Sequence, residues 1–172
     1  MIPLEKLRKI RVVVLDIDGV LTDGRVGYDG ERKMKFFNYR DGHWIKMALR
    51  SGLLVGALSG AQCPANAQRA GELGFSFLRE CEKDKLKGFE KLVADLGVAP
   101  EECLYMGDDV IDMSPMRRAG VGVAVRDAVP ELDEVADWRT ETPGGHGAVC
   151  EVVRELLAAQ GKLDAALERY RR

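Results

Sequence analysis

Val12-Val13-Val14-Leu15-Asp16-Ile17-Asp18-Gly19-Val20 is the stretch on which the fold turns. Its first four residues are apolar and mostly β-branched, with no polar alternation. They are far too few to span a membrane, and a run of that kind suits a central strand of a parallel sheet, buried on both faces. Asp16 and Asp18 then fall at the strand's C-terminal end, where open α/β sheets place their ligands. Strand packing has no use for two acids there, so the pair is read as chemistry.

Working outward, strand-like runs recur at Leu53 to Leu58, Phe75 to Leu78, Cys103 to Met106 and Val121 to Val125. Between them lie helical segments at Asp41 to Ser51, Ala65 to Leu73, Lys83 to Leu96 and Val110 to Ala119, with a last one at Ala148 to Gln160. Gly52, Gly74, Gly97 and Gly120 stand where helices should stop. Strands alternating with helices imply right-handed βαβ crossovers and a three-layer, Rossmann-like α/β fold around a parallel sheet. The 172 residues are expected to form a single domain, 1–172. One segment breaks the alternation: Val26 to Phe37, with Asp29-Gly30 as its turn, reads as a β-hairpin inserted at about 25–38. The tail, about 161–172, reads from its composition as a frayed terminal helix.

Composition narrows the function. A net charge of −2 offers no footprint for nucleic acid or an anionic membrane. No run is long enough for a transmembrane helix, and the N-terminal residues lack the apolar region of a secretory signal. Four scattered cysteines, Cys63, Cys81, Cys103 and Cys150, with no CxxC pair, read as reduced thiols of a cytoplasmic protein.

Three later segments supply partners for the first acids. Ser59-Gly60 follows a strand, and its hydroxyl and backbone amides suit a phosphate oxygen, although taken alone the pair reads first as a helix cap or plain turn. Gly107-Asp108-Asp109-Val110-Ile111-Asp112 follows another strand, and its acids can cap a helix or bind a cation. Lys83 and Lys85 open a helix at the end that disfavours cations, which suits a lysine that serves an anion, although a solvated lysine is the commoner case. Asp16, Asp18 and Asp108 would repel one another in one cleft unless a cation sits among them. Carboxylates, one backbone carbonyl and water form the ligand set of Mg²⁺.

With those residues in hand, the chain resembles the haloacid dehalogenase superfamily of phosphohydrolases. Asp16-Ile17-Asp18-Gly19-Val20-Leu21-Thr22-Asp23-Gly24 is similar to its first motif, and Ser59, Lys85 and Gly107-Asp108-Asp109 to the second, third and fourth. The likeness runs from about Ile10 to Gln160. It is greatest to the small branch without a cap domain, through three further features. These are the Asp-Gly-Val-Leu-Thr-Asp-Gly run, the hairpin followed by Arg40-Asp41-Gly42, and Pro143-Gly144-Gly145-His146-Gly147-Ala148-Val149.

The resemblance implies a Mg²⁺-dependent phosphatase that removes the terminal phosphate of a 3-deoxy-2-ketoaldonate through an aspartyl-phosphate. The first substrate it implies is 3-deoxy-D-manno-octulosonate 8-phosphate, on the route to lipopolysaccharide. The alternatives are N-acylneuraminate 9-phosphate or 2-keto-3-deoxynononate 9-phosphate, of the sialic acid type, and a catalytically silent partner protein. Asp16 becomes the nucleophile and Asp18 the proton shuttle. Ser59, Gly60 and Lys85 hold phosphate, and Asp16, Asp18 and Asp108 bind the metal, Asp18 through its backbone carbonyl. Asp109 and Asp112 orient metal-bound water or Lys85, or only cap a helix. The hairpin is expected to assemble a homotetramer that covers an otherwise open cleft.

The chain departs from the branch at two places. Ser59-Gly60-Ala61 stands where the pattern is Thr-Gly-Arg, and His146 stands where arginine is usual. Both lie where a sugar-acid carboxylate is expected to be read, and Arg40, Arg69 or Arg79 are the residues that could compensate. A response-regulator receiver domain also groups acids and a lysine around Mg²⁺, but it does not place a two-spaced acid pair at the end of its first strand.

Overall fold

The computed structural model describes residues 2–171; Met1 and Arg172, the two ends of the expected domain and tail, lie outside the described residues. After a single helical turn, α1 (Leu4–Leu7), the apolar run forms β1 (Val12–Leu15), which is buried throughout. Its lack of alternation has a direct cause. Val13 and Leu15 face a layer formed by α2 (Tyr39–Arg50) and α6 (Ala148–Ala159), through Ile45, Ala48, Val149, Val152 and Val153. Val12 and Val14 face the opposite layer, α4 (Lys85–Leu96) and α5 (Met113–Arg118), through Phe89, Leu92 and Met116. A strand between two apolar layers needs apolar residues at every position.

The remaining strands are β4 (Leu54–Leu58), β5 (Phe77–Arg79), β6 (Cys103–Gly107), β7 (Val121–Ala124) and β8 (Trp138–Arg139), with α3 (Pro64–Leu73) between β4 and β5. They form a six-stranded sheet in the order β5-β4-β1-β6-β7-β8, parallel at every pairing. β1 sits between β4 and β6, so the loops that follow these three strands converge at one edge. That convergence positions the site. No separate cap domain is present among the described residues.

Element types agree with the sequence, and the differences lie at the edges. α4 starts at Lys85 rather than Lys83, because the Asp84 side chain caps it by accepting from the Lys87 amide. The expected helix from Val110 opens as a 3₁₀ turn, Val110–Asp112, before α5. Gly74 and Gly97 end their helices in the left-handed conformation. Gly120 does not: a Cβ there would lie 2.1 Å from the Glu101 carbonyl oxygen, so close backbone approach explains it. β8 has two residues, too few to leave a periodic signal.

The inserted hairpin pairs β2 (Gly27–Asp29) with β3 (Arg32–Met34) in antiparallel register and joins no other strand among the described residues. The tail is not frayed. It forms α7 (Leu163–Glu168), whose Leu163 and Ala166 pack on the α2/α6 core, while Arg50 donates to the Tyr170 hydroxyl.

Candidate active site

Asp16 is the first residue after β1. Its amide continues the ladder by donating to the Met106 carbonyl, so the sheet itself fixes its backbone. One carboxylate oxygen accepts from the Ile17 amide at 2.7 Å, and the other meets Lys85 Nζ at 2.9 Å. Lys85 stands on the first turn of α4 with its side chain almost wholly buried. Lys83 is exposed, so the choice left open by the sequence falls on Lys85.

Asp112 holds this arrangement together. It is fully buried, and both of its oxygens are used twice. Oδ1 accepts from Lys85 Nζ at 2.7 Å and from the Tyr105 hydroxyl at 2.8 Å. Oδ2 accepts from the Asp108 and Asp109 amides at 3.1 and 3.3 Å. One carboxylate therefore aims the lysine and fixes the loop after β6. Asp109 is exposed and caps the following turn through the Val110 amide.

Asp108 lies across from the loop after β1. That loop bends at Gly19, where φ is +92° and a Cβ would come within 1.9 Å of the Asp108 carboxylate. Only glycine combines that backbone conformation with that approach. The loop is clamped from behind by the Pro143-Gly144-Gly145 turn. Gly145 donates to the Val20 carbonyl, and a Cβ on Gly144 would lie 1.7 Å from the Gly19 carbonyl oxygen. The Asp127 carboxylate accepts from the Gly144 amide, and Asn38 Nδ2 donates to the Gly145 carbonyl.

Ser59 follows β4 and is buried, its Oγ accepting from the Ala61 amide at 3.2 Å. Its carbonyl accepts from Glu82, which ties this loop to the one preceding α4. Ser59, Gly60 and Ala61 share a cleft of about 360 Å³ with Asp16, Asp18, Lys85 and Asp108. The fold thus brings together every residue singled out for catalysis, phosphate or metal. It does not bring the proposed compensating arginines: Arg69 stacks on Phe37 and donates to the Asn38 carbonyl, Arg79 pairs with Asp95 and Glu82, and Arg40 is exposed. His146 is exposed on the glycine turn rather than among the residues lining the cleft.

The sequence reading missed Lys35. It follows β3, and its ammonium lies 2.7 Å from Asp18 Oδ1 and 2.8 Å from Oδ2. A lysine in a run of exposed hairpin cations carries no mark that separates it from Arg32 and Lys33. The roles of Tyr105 and Gly144 were equally hidden, because they depend on which strands and loops become neighbours.

The electrostatics express crowding. Burial, then Asp112, push the Asp16 carboxyl up to about 7, against the pull of Lys85. Burial, then Asp16 and Asp112, push Asp108 up to about 8. Burial opposes the charge on Lys85, but Asp16 and Asp112 outweigh it and hold the ammonium above its usual range. Two acids that resist ionisation, facing one cleft, fit a divalent cation, which would favour their charged forms. Asp16, Asp108 and Asp112 bring oxygens within 4.8 Å of one another. Asp112 is nevertheless an unsuitable ligand, because four donors already occupy its oxygens. The donor set that fits is Asp16 and Asp108, with backbone oxygen and water completing a hard, all-oxygen site.

The comparisons with known proteins agree with this geometry. Residues 75–152 match the model of the haloacid dehalogenase-like hydrolases. Over 165 residues the chain is 44 % identical to the 3-deoxy-D-manno-octulosonate 8-phosphate phosphatase of Escherichia coli K12, covering 95 % of this chain and 87 % of that one. The crystal structure of the Moraxella catarrhalis phosphatase of that name, in complex with magnesium, phosphate and KDO, superposes with a TM-score of 0.94 at 33 % identity, covering 97 % of each chain. The cobalt-bound Haemophilus influenzae counterpart gives a TM-score of 0.89 at 36 % identity, over 93 % of this chain and 94 % of that one. A chain that aligns with these phosphatases over nearly its whole length at 33–44 % identity, and shares their fold, belongs to the haloacid dehalogenase-like hydrolase family.

Proposed function

We propose that the protein hydrolyses 3-deoxy-D-manno-octulosonate 8-phosphate to the free sugar acid and inorganic phosphate. The observation that carries this reading is the convergence of Asp16, Asp108 and Lys85 within one cleft, in a chain 44 % identical to phosphatases named for that substrate.

The residue roles follow from charge and position. Asp16, fixed by the sheet and by Lys85, attacks phosphorus; its oxygen–phosphorus bond forms as the bond to the sugar oxygen breaks. Asp18 gives its proton to the departing sugar oxygen. It then takes one from the water that splits the aspartyl-phosphate, releasing phosphate and restoring Asp16. Lys85, aimed by Asp112, and Ser59 with the Gly60 backbone hold the phosphate oxygens. Asp16, Asp108 and the backbone carbonyl of Asp18 hold Mg²⁺, which when bound offsets the charge of the phosphate. Phosphate release from a panel of sugar phosphates, with and without Mg²⁺, tests the reading. Turnover of the eight-carbon substrate at least about tenfold above nine-carbon substrates supports it. Preference for N-acylneuraminate 9-phosphate, or no turnover of any phosphate, overturns it.

Homotetrameric assembly through the hairpin belongs to the same proposal. Val26, Tyr28, Met34 and Phe36 are exposed on the hairpin, and Tyr39 just beyond it. An apolar projection beside an uncapped cleft fits a second copy of the chain. A cytoplasmic location fits four free thiols and the absence, among the described residues, of any helix long and apolar enough to cross a membrane.

A further inference from the structure

We propose that Lys35 is a positioning residue for proton transfer, so that the hairpin is part of the acid–base apparatus; the inference rests on the reading of Asp18 as the proton shuttle. Three observations carry it. The Lys35 side chain is only 4 % exposed although it springs from a hairpin that is otherwise solvated. Its ammonium bridges both oxygens of Asp18, at 2.7 and 2.8 Å, and makes no other side-chain hydrogen bond among the described residues. Asp18 in turn has no other side-chain partner among them, and its carboxylate is 38 % exposed toward the cleft.

The contrast with Asp16 gives these contacts their meaning. Asp16 is held by a backbone amide, by Lys85 and by near-complete burial. Asp18 sits in a loop, beside Gly19, with nothing but Lys35 to select a rotamer. A proton donor must point at the leaving oxygen to contribute, and loosely held carboxylates spend their time elsewhere. A lysine stem buried along the protein surface fixes one end of the pair, and its ammonium fixes the other. The geometry is strand-like: Met34 and Phe36 are exposed, and Lys35 between them turns inward toward Asp18. A simple tether between hairpin and domain would use the same ion pair, so the test must separate fastening from chemistry.

Leaving-group dependence does so. Loss of a primary alkoxide needs a proton, whereas 4-nitrophenolate departs without one at neutral pH. The experiment measures kcat/KM, which reports the step that cleaves the ester, for 3-deoxy-D-manno-octulosonate 8-phosphate and for 4-nitrophenyl phosphate. The proteins are wild type, Lys35→Met, Lys35→Arg and Asp18→Asn. The expected result for Lys35→Met is a loss of about 10- to 100-fold on the alkyl phosphate and under about threefold on the aryl phosphate. Asp18→Asn should show the same asymmetry, more strongly, and Lys35→Arg should recover part of the loss. Equal losses on both substrates, or no loss on either, overturn the proposal, and sedimentation and thermal unfolding of each variant show whether it folds. If wild type turns over the aryl phosphate but not the eight-carbon substrate, the sugar assignment fails instead. Lys35 is then tested with ribose 5-phosphate as the alkyl substrate, against the same criterion.

Discussion

The two sides of the cleft are built in opposite ways. On the sheet side, Lys85, Asp112, Tyr105 and Asp16 form a closed network in which each carboxylate oxygen of Asp112 has two donors. On the hairpin side, among the described residues, β2 and β3 pair only with each other, their apolar residues face outward, and one ion pair connects the hairpin to the site. The first arrangement fixes the atoms that must not move, since a nucleophile misplaced by a fraction of an ångström loses rate steeply. The groups assigned to chemistry common to phosphate esters thus lie on the sheet side, and the contact proposed with a second copy lies on the hairpin side.

The largest expected effects test the rigid side. Asp16→Asn removes the nucleophile while leaving its shape, and phosphatase activity should fall by at least about 10⁴-fold with the circular dichroism spectrum unchanged. Retained turnover would mean that the sheet side does not supply the attacking atom. Next is Asp112→Ala, which takes the acceptor from the buried Tyr105 hydroxyl and from the Asp108 and Asp109 amides, and leaves the buried Lys85 with Asp16 alone. Breaking a buried pair by removing one member costs about 3–5 kcal/mol, so the melting temperature should drop well below that of wild type. A melt within 2 °C of wild type, roughly 0.5 kcal/mol for a chain this size, would show that the network holds no stability.

The hairpin side should break differently. Replacing Tyr28 and Phe36 with Glu introduces repulsion on the face assigned to a second copy. Sedimentation should show smaller species, with each chain's thermal unfolding otherwise cooperative. A monomeric wild type would remove the assembly proposal outright. A variant that stays assembled would move the interface elsewhere.

This contrast also explains what was legible in the sequence. β1 and the acids after it could be read directly, because a buried central strand imposes apolar residues at each position and leaves Asp16 and Asp18 conspicuous. Ser59 and Asp108 follow strands and Lys85 opens a helix, but local pattern alone leaves a cap or turn open for Ser59 and Lys83 open beside Lys85; the resemblance to the family's motifs singles them out. Lys35 was not legible, since its partner is 17 residues away and a lysine on a hairpin is ordinary. Gly144 was conspicuous within its glycine-rich run, but the contact that requires it, with the carbonyl of Gly19 125 residues earlier, was not. The expectation of a frayed tail failed because its composition is charged, whereas Leu163 and Ala166 share one helical face that finds the α2/α6 layer. The glycine turn shows the limit of reading single residues, since His146 faces outward while its neighbours form the clamp.

Cation binding should sharpen the comparison more gently. Asp16 and Asp108 are raised to about 7 and about 8 in the folded protein, from an ordinary 3.8. Between those limits the metal-free native state binds more protons than the unfolded chain, so stability falls as pH rises through that window. Thermal melts of chelator-treated protein should therefore decline from pH 5.5 to 8. Added Mg²⁺, which favours the ionised carboxylates, should stabilise more at pH 8 than at pH 5.5. The hairpin variant, which leaves these acids untouched, should show the same pH trend. A flat apo profile, with equal Mg²⁺ stabilisation at both values, would indicate that the two acids are not crowded as the structure has them.

The smallest effect lies on the rim between the two sides. Cys81 follows β5 in the loop that donates the Glu82 amide to Ser59, and it is the one described non-glycine residue with positive φ, at +62°. Its side chain is exposed and makes only a long contact with Gln62, so the strained backbone gains little from the residue that occupies it. The loop is held from outside instead: Glu80 accepts from the Cys63 amide and from Asn66, and Arg79 pairs with Glu82. A cost of about 1 kcal/mol is typical of a side chain in the left-handed region, and glycine relieves it while adding freedom to the unfolded chain. Cys81→Gly should thus raise stability by roughly 0.5 kcal/mol, read as a small upward shift in the denaturation midpoint, with kcat/KM unchanged. A loss of activity would show that this rim is tuned like the sheet side. A loss of stability would show that the cysteine side chain, rather than its neighbours, sets the loop's conformation.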